Sequence, residues 1–319
     1  MTGPASSRRV LLLAHTGRDA AREVTLAFCK ALTGHGLRVR MLAAEAAELE
    51  LDPASYDPPL ELVGPDADAG ADCEIAVVVG GDGSILRAAE VTRASGTPVL
   101  GVNLGHVGFL AEAESDDVEA TIEAVVQRTW IPEDRLTLDV RAYRDGELVT
   151  QTFALNEASV EKAARERMIE VVVEIDGRPL SRWGCDGVVL STPTGSTAYN
   201  FSAGGPIVWP GVEALLVVPI SAHALFARPM VVAPESVVAV EVIARTNGVG
   251  VLWCDGRRAE DLPPGARIEI RRDERPVRLA RLHQAPFTDR LVAKFDLPVE
   301  GWRGSADRRR RAEEGETRA

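Results

Sequence analysis

Three polar, glycine-rich stretches carry residue types that could do chemistry. The first is Gly80-Gly81-Asp82-Gly83, which follows the apolar run Ile75–Val79 and leads into Ser84-Ile-Leu-Arg-Ala-Ala-Glu. Glycines let a backbone approach a ligand closely with its N–H groups pointing outward, and a helix start adds partial positive charge. A carboxylate in such a turn repels phosphate, so Asp82 makes sense there as a base or a metal contact. It is equally a preferred helix N-cap, and the tetrapeptide alone leaves the two readings about even. The second stretch, Gly184–Pro206, reads GCDGVVLSTPTGSTAYNFSAGGP and holds Ser191, Thr192, Thr194, Ser196, Thr197 and Ser202. So many hydroxyls in one loop point to a binding role more than to a tight turn. Its Asp186-Gly187 echoes Asp82-Gly83, and two carboxylates in one cleft could act as base and charge anchor. The third, Asn156-Glu157, ends an expected strand and carries no signal alone.

Two common nucleotide-binding devices are missing. The first strand-to-helix turn, Ala14-His15-Thr16-Gly17-Arg18, lacks the Gly-x-Gly-x-x-Gly spacing of dinucleotide folds, and no Gly-Lys-Ser/Thr phosphate loop is present. His15, at a strand end, and His223, between apolar segments, read as structural residues and are given no catalytic role.

The elements that must position these stretches change character along the chain. Arg9–His15 reads as a buried strand, Arg18–Thr33 as a helix, and Leu37–Leu42 as a second strand, a βαβ unit that implies a parallel sheet. Asp52–Asp72, rich in Pro, Asp and Gly, reads as a surface loop. The strand before Asp82 and its helix follow, then Thr97–Asn103 as a strand, the turn NLGHVGFL, and a helix over Asp116–Arg128. After Trp130, short alternating or β-branched runs separated by Asp-Gly and Pro-Gly turns predict a β-rich region. Thr288–Phe295 again looks helical. The expected architecture is an α/β N-terminal domain with a Rossmann-like parallel sheet plus a β-rich C-terminal domain. Residues 1–134 form the first, with 285–300 packing back on it, and residues 135–284 form the second. Residues 301–319, charged and without an apolar pattern, read as a disordered tail.

Composition narrows the function. The chain has 319 residues and a formal charge of −12, which argues against nucleic acid as principal partner. No apolar run approaches the roughly 20 residues that span a bilayer, and the apolar run that follows Arg8 and Arg9 is too brief for a good signal peptide. Cys29, Cys73, Cys185 and Cys254 have no paired spacing, which predicts reduced thiols in a cytoplasmic protein.

Taken together, GGDGS with ILRAAE, NLGHVGFL, Asn156-Glu157 and the TPTGSTAY stretch resemble, in that order, the motifs of the bacterial NAD kinases, over about Val10 to Leu297. The resemblance implies phosphorylation of the 2′-hydroxyl of the NAD adenosine ribose to give NADP. ATP or inorganic polyphosphate would be the donor, Mg²⁺ the metal, and the assembly a homodimer or homotetramer. By matching position, it implies that Asp82 is the general base and Gly83 lies beside it on the dinucleotide. Phe109 would pack on the adenine side, and Asn156 and Glu157 would contact NAD hydroxyls and base. Asp186 would act near the nicotinamide half, while Thr197, Ala198, Tyr199 and Ser202 would hold base and ribose. Arg87 and Arg167 match phosphate- or substrate-facing positions. The metal ligands are not indicated. Ser84 and Arg257 depart from the family pattern, and the second leaves the contact at that position open. The chemistry fits these residues, because a ribose hydroxyl is a weak nucleophile that needs a positioned base and charge neutralisation.

Two rivals differ in class. A lipid kinase shares the glycine–aspartate turn, but the TPTGSTAY stretch and the lack of a basic amphipathic membrane-facing helix weigh against it. A non-catalytic NAD(H)-sensing module would bind the dinucleotide without needing Asp82.

Overall fold

The computed structural model describes residues 8–105, 108–111, 117–164, 167–245, 248–283 and 286–299. The first sheet contains β1 (Arg9–Ala14), β2 (Arg38–Leu42), β3 (Glu61–Val63), β4 (Ile75–Val79), β5 (Val99–Val102), β6 (Ile131–Arg135) and β19 (Val277–Arg281), in the order 3-2-1-4-5-19-6. Its pairs from β3 through β19 are parallel, and only β6 runs against its neighbour. Helices α1 (Asp19–Gly34), α2 (Ala43–Glu48), α3 (Asp82–Thr92) and α4 (Val118–Gln127) are interleaved with these strands. Alternation along β1 explains why both faces are covered. Val10 and Leu12 join one core with Phe28 and Leu32 of α1, while Leu11 and Leu13 join another with Ile85 and Ala88 of α3. A strand buried on both faces reads as a continuous apolar run, as RVLLLA does.

Between β6 and β19 the described residues form a sandwich of two antiparallel six-stranded sheets. One holds β7 (Leu138–Arg144), β8 (Glu147–Ala154), β10 (Ile169–Ile175), β11 (Arg178–Cys185), β15 (Val238–Val242) and β18 (Arg267–Arg272). The other holds β9 (Glu157–Lys162), β12 (Gly187–Ser191), β13 (Leu215–Ile220), β14 (Met230–Val232), β16 (Gly250–Cys254) and β17 (Arg258–Leu262). Their inner faces share one core, with Trp183, Val171 and Ile268 from the first meeting Val160, Val188 and Leu252 from the second. The alternating patterns of the sequence are the inward-facing positions of these strands.

Several details differ from the sequence reading. The stretch 52–72 contains a strand, because Glu61–Val63 pairs with the edge of β2 despite its polar flanks. The segment AAEAAE forms α2, which no apolar periodicity announced. Residues 277–281, expected in the β-rich region, lie in the first sheet between β5 and β6. The helix expected at 288–295 is α6 (Phe287–Phe295), and it touches both parts of the molecule. Phe295 lies 5.9 Å from Phe109 and 4.8 Å from Phe201, ring centre to ring centre. The expected tail at 301–319 lies outside the described residues.

Candidate active site

The turn after β4 heads α3, with Gly81 as its N-cap and Asp82 as its first helical residue. Asp82 is therefore not the cap its residue type allows. Its carboxylate instead accepts the backbone N–H of Phe109 (3.0 Å) and of Leu110 (3.1 Å). Those two bonds fix the carboxylate in one orientation and tie it to the loop that follows β5. Gly108 permits this approach, since a Cβ there would sit 2.5 Å from Asp82 Oδ1. At Gly80 a Cβ would collide with the Ser84 hydroxyl and lie 2.9 Å from its Cβ, so the turn can close tightly only around glycine.

Next to this turn is a cleft of about 610 Å³, lined by Gly80, Gly81, Gly83, Ser84, Arg87, the first turn residues His15, Thr16 and Arg18, and the hairpin Asp255–Arg257. It opens at the carboxyl ends of parallel strands, where open α/β sheets bind ligands. Arg87 reaches it from α3, held by an ion pair with buried Glu45 and a 3.1 Å bond to the Ala14 carbonyl. The Glu45 carboxylate also accepts the Ala14 N–H at 2.8 Å, so one buried acid braces the end of β1 and the arginine together. Helix-start N–H groups, glycines and three arginines, Arg18, Arg87 and Arg257, make this cleft suited to phosphate groups.

A hydrogen-bond chain joins the three stretches. The turn between β16 and β17, Asp255-Gly256, has both residues at positive φ. It carries the buried Asp255 carboxylate onto the N–H groups of Leu155 (3.0 Å) and Asn156 (2.7 Å), with Arg258 pairing at 2.8 Å. The Asn156 carbonyl accepts the Thr192 N–H at 2.9 Å, and Glu157 Oε2 accepts the Tyr199 N–H at 3.3 Å. Arg257, the departure noted above, binds Glu90 of α3 at 3.0 Å, and Arg258 reaches the same carboxylate at 3.3 Å. The β-sandwich is thereby latched to the helix that begins with Asp82.

The hydroxyl-rich loop divides into scaffold and surface. Ser191, Thr192 and Ser196 are fully buried and spend their hydroxyls on the carbonyls of Asn156, Leu155 and Pro193. Those three are structural, contrary to a simple count of hydroxyls. Thr197, Ala198 and Tyr199 are partly exposed, and Ser202 is exposed in α5 (Tyr199–Ser202), leaving them accessible to a ligand. Phe109 is packed against Phe287 (6.0 Å) and Phe295 of α6. Asp186 stands apart. Gly187 opposes Glu161 and Ser191 opposes Glu157, so Asp186 lies five residues from Glu157 along β9, roughly 17 Å at about 3.4 Å per residue. It pairs with Lys162 at 2.6 Å, which holds its carboxyl below the usual range. Arg167 is exposed just before β10, outside the 610 Å³ cleft.

Sequence reasoning left the role of Asp255 open and missed Arg258, Gly195 and the cleft wall at His15–Arg18. The last had a usable signal, because the turn after the first strand of a parallel sheet lies at its ligand-binding edge. Asp255-Gly256 had only the signature of a hairpin turn.

Burial pushes the Glu157 carboxyl up to about 8, the charge of Asp255 pushes the same way, and the Tyr199 N–H opposes both. Asp255 is also raised by burial, yet it receives two short backbone bonds and Arg258, whereas Glu157 has one long bond. The proton therefore resides on Glu157. An unfolded glutamate releases its proton near 4.5, while the folded one keeps it to about 8. Stability must fall as pH rises through that window and level off above it. Glu157→Gln is expected to flatten this slope, leaving the part that Asp255 contributes, and to raise the melting temperature of the ligand-free protein at about pH 9 by several degrees relative to wild type, with little change at about pH 4. Parallel thermal melts of the two proteins check it, and an equal pH slope in both would refute the assignment.

Fold and site together define a two-part protein, with a glycine-lined cleft at the edge of an α/β sheet and a β-sandwich latched to it through Arg257 and Arg258. Residues 10–130 match the family described as ATP-NAD kinase N-terminal domain, and residues 155–282 the ATP-NAD kinase C-terminal domain. The chain is 60% identical to an NAD kinase of Thermobifida fusca over 313 residues, 97% of this chain and 95% of that one. It is also 60% identical to an NAD kinase 2 of Streptomyces coelicolor over 299 residues, 93% and 97% of the two chains. Yeast NADH kinase, solved with NADH, shares the fold at a TM-score of 0.81 and 24% identity, covering 94% of each chain. The chain belongs to the NAD kinase family.

Proposed function

We propose that this chain transfers the γ-phosphoryl group of ATP to the 2′-hydroxyl of the adenosine ribose of NAD, making NADP. The observation that carries this reading is the placement of Asp82. Its carboxylate is held in one orientation at the head of α3, beside the phosphate-suited cleft, and Asp255 ties that cleft to Asn156-Glu157. Asp82 takes the proton from the attacking hydroxyl as the bond to phosphorus forms, the role a ribose hydroxyl requires of a base. Gly83 and Arg87 face the transferring phosphate, where developing charge is stabilised by groups already in position. Asn156, protonated Glu157, Thr197, Ala198, Tyr199 and Ser202 grip the adenosine half, and Asp186 acts toward the nicotinamide end. Phe109 supports the adenine side through the aromatic packing it shares with α6. Arg167 is assigned no step.

Among the described residues no three His, Cys, Asp or Glu side chains group as an ion-binding set. A Mg²⁺ held chiefly by donor phosphates and waters would need only one protein carboxylate, and Asp82, at the head of α3 beside the cleft, is the one that would hold it. When bound, it would neutralise phosphate charge. Among the described residues no helix is long and apolar enough to cross a membrane. We place the protein in the cytoplasm as a homodimer or homotetramer. Exposed Val231 on the edge strand β14, and exposed Phe226 in the loop before it, support an apolar contact between copies.

Incubation of the purified chain with ATP or polyphosphate and with NAD, NADH or diacylglycerol tests the reading. NADP formed from ATP and NAD in the presence of Mg²⁺ is the expected result. Absence of NADP with both donors, or phosphatidate in its place, would sink it.

A further inference from the structure

A second recess, of about 830 Å³, lies on the other side of the Glu90 latch. Its walls come from the end of α3, from β7 and β8, from Arg258 of β17, and from the end of β18 with the turn after it. Six arginines line it: Arg93, Arg141, Arg258, Arg271, Arg272 and Arg275. Four carboxylates, Glu90, Asp139, Asp273 and Glu274, face them. Arginines thus outnumber carboxylates on the lining itself, in a chain of formal charge −12, although Asp255 and Glu213 just outside it pair with two of them.

The guanidinium groups are organised. Arg93 and Arg258 both stack on the Phe153 ring, 4.5 and 4.4 Å from its centre, while Arg93 pairs with Asp273 and Arg258 with Glu90 and Asp255. Arg141 and Arg271 share the single carboxylate of buried Asp139, each at 3.0 Å. Two positive charges on one acid leave unmet demand for a further anion. Arg272 pairs outward with Glu213, and Arg275 makes no ion pair among the described residues. Phe153 is the one aromatic ring lining the recess, and guanidinium groups already occupy it, so there is no platform for a nucleobase. What the recess offers is a set of forked donors for phosphate oxygens.

We propose that this recess is a second anion site that takes a chain of two or three phosphates, free or as the tail of a nucleotide. Arg258 lies on the recess and at the same time holds Asp255, whose carboxylate fixes the N–H groups of Leu155 and Asn156. Occupancy is therefore linked to the NAD-binding pair through one side chain. The link to NAD rests on the function proposed above, whereas the binding itself does not.

The test is calorimetric titration of the full-length protein with inorganic tripolyphosphate and, separately, with ATP, at physiological salt and with NADP saturating the catalytic cleft. Tripolyphosphate is expected to bind under these conditions. The double variant Arg272→Ser/Arg275→Ser is expected to weaken it about tenfold or more, with kcat and KM for NAD in the absence of tripolyphosphate unchanged. Equal binding of tripolyphosphate and ATP identifies the phosphate chain as the recognised group. Binding of ATP alone, loss of all binding once NADP is present, or the same affinity in the double variant would each overturn the proposal.

Discussion

Asp82→Asn is expected to lower kcat for NADP formation by about 10²–10⁴-fold, the usual worth of a positioned base, while NAD binding changes by no more than a few-fold. The carboxylate lies where two effects add. An amide cannot take the hydroxyl proton. It also has only one oxygen, while two backbone N–H groups, those of Phe109 and Leu110, point at the two carboxylate oxygens. One N–H would then face an NH₂ group, at a cost of about 1–3 kcal/mol if it stays unpaired. The loop carrying Phe109 should consequently loosen, and Asp82→Asn should be modestly less stable as well as inactive. Steady-state kinetics combined with direct NAD binding separates the two contributions. Near-normal turnover would remove Asp82 from the chemistry altogether.

The second large effect is expected from the smallest change. Gly195 lies in the turn before Tyr199, and a Cβ there would overlap the Asn156 carbonyl oxygen and come within 2.6 Å of the Ser191 hydroxyl. The obstacle is backbone on a fully paired strand end, so it cannot swing aside as a flexible side chain would. Gly195→Ala should cost about 3 kcal/mol or more, within the range of severe overpacking, and should raise KM for NAD by at least about tenfold in whatever protein folds. Gly83→Ala serves as the comparison. No atom lies within 4 Å of a Cβ at Gly83, so that variant should keep its melting temperature. If Gly195→Ala melted and turned over like wild type, the close approach of these two segments would not matter to the site.

The sequence was most legible where one residue type had one physical use. The buried strands of the first sheet appear as apolar runs because both faces are covered, and within Gly80-Gly81-Asp82-Gly83 the glycine at 80 is the one that close approach to Ser84 demands. The long hydroxyl-rich stretch was misleading in part. Ser191, Thr192 and Ser196 have the same composition as a binding loop, but their oxygens satisfy buried carbonyls, and only tertiary structure distinguishes those uses. Asp255 was opaque for the opposite reason. Its role depends on 100 residues of separation from Leu155, and an Asp-Gly hairpin turn has the same local appearance whether its carboxylate faces solvent or the core. The spacing of Asp82 and Asp186 in separate motifs could not reveal that strand register carries Asp186 away from Glu157.

The position of β19 has a consequence for how the molecule is made. The ribosome delivers β1 through β6 first, yet β6 has no partner in the first sheet except β19, and β19 also covers the open edge of β5. While the sandwich is being synthesised, the nascent N-terminal part has an unfinished border and an orphaned strand. An exposed strand edge is a template for pairing with other chains. Completion of the earliest part thus waits for nearly the latest, and the sandwich is an insertion that must bring its two ends together before the first sheet can close. Helix α6, made after β19, then packs Phe287 and Phe295 against Phe109, so the loop that holds the Asp82 carboxylate gains its last support only after the sandwich has been made.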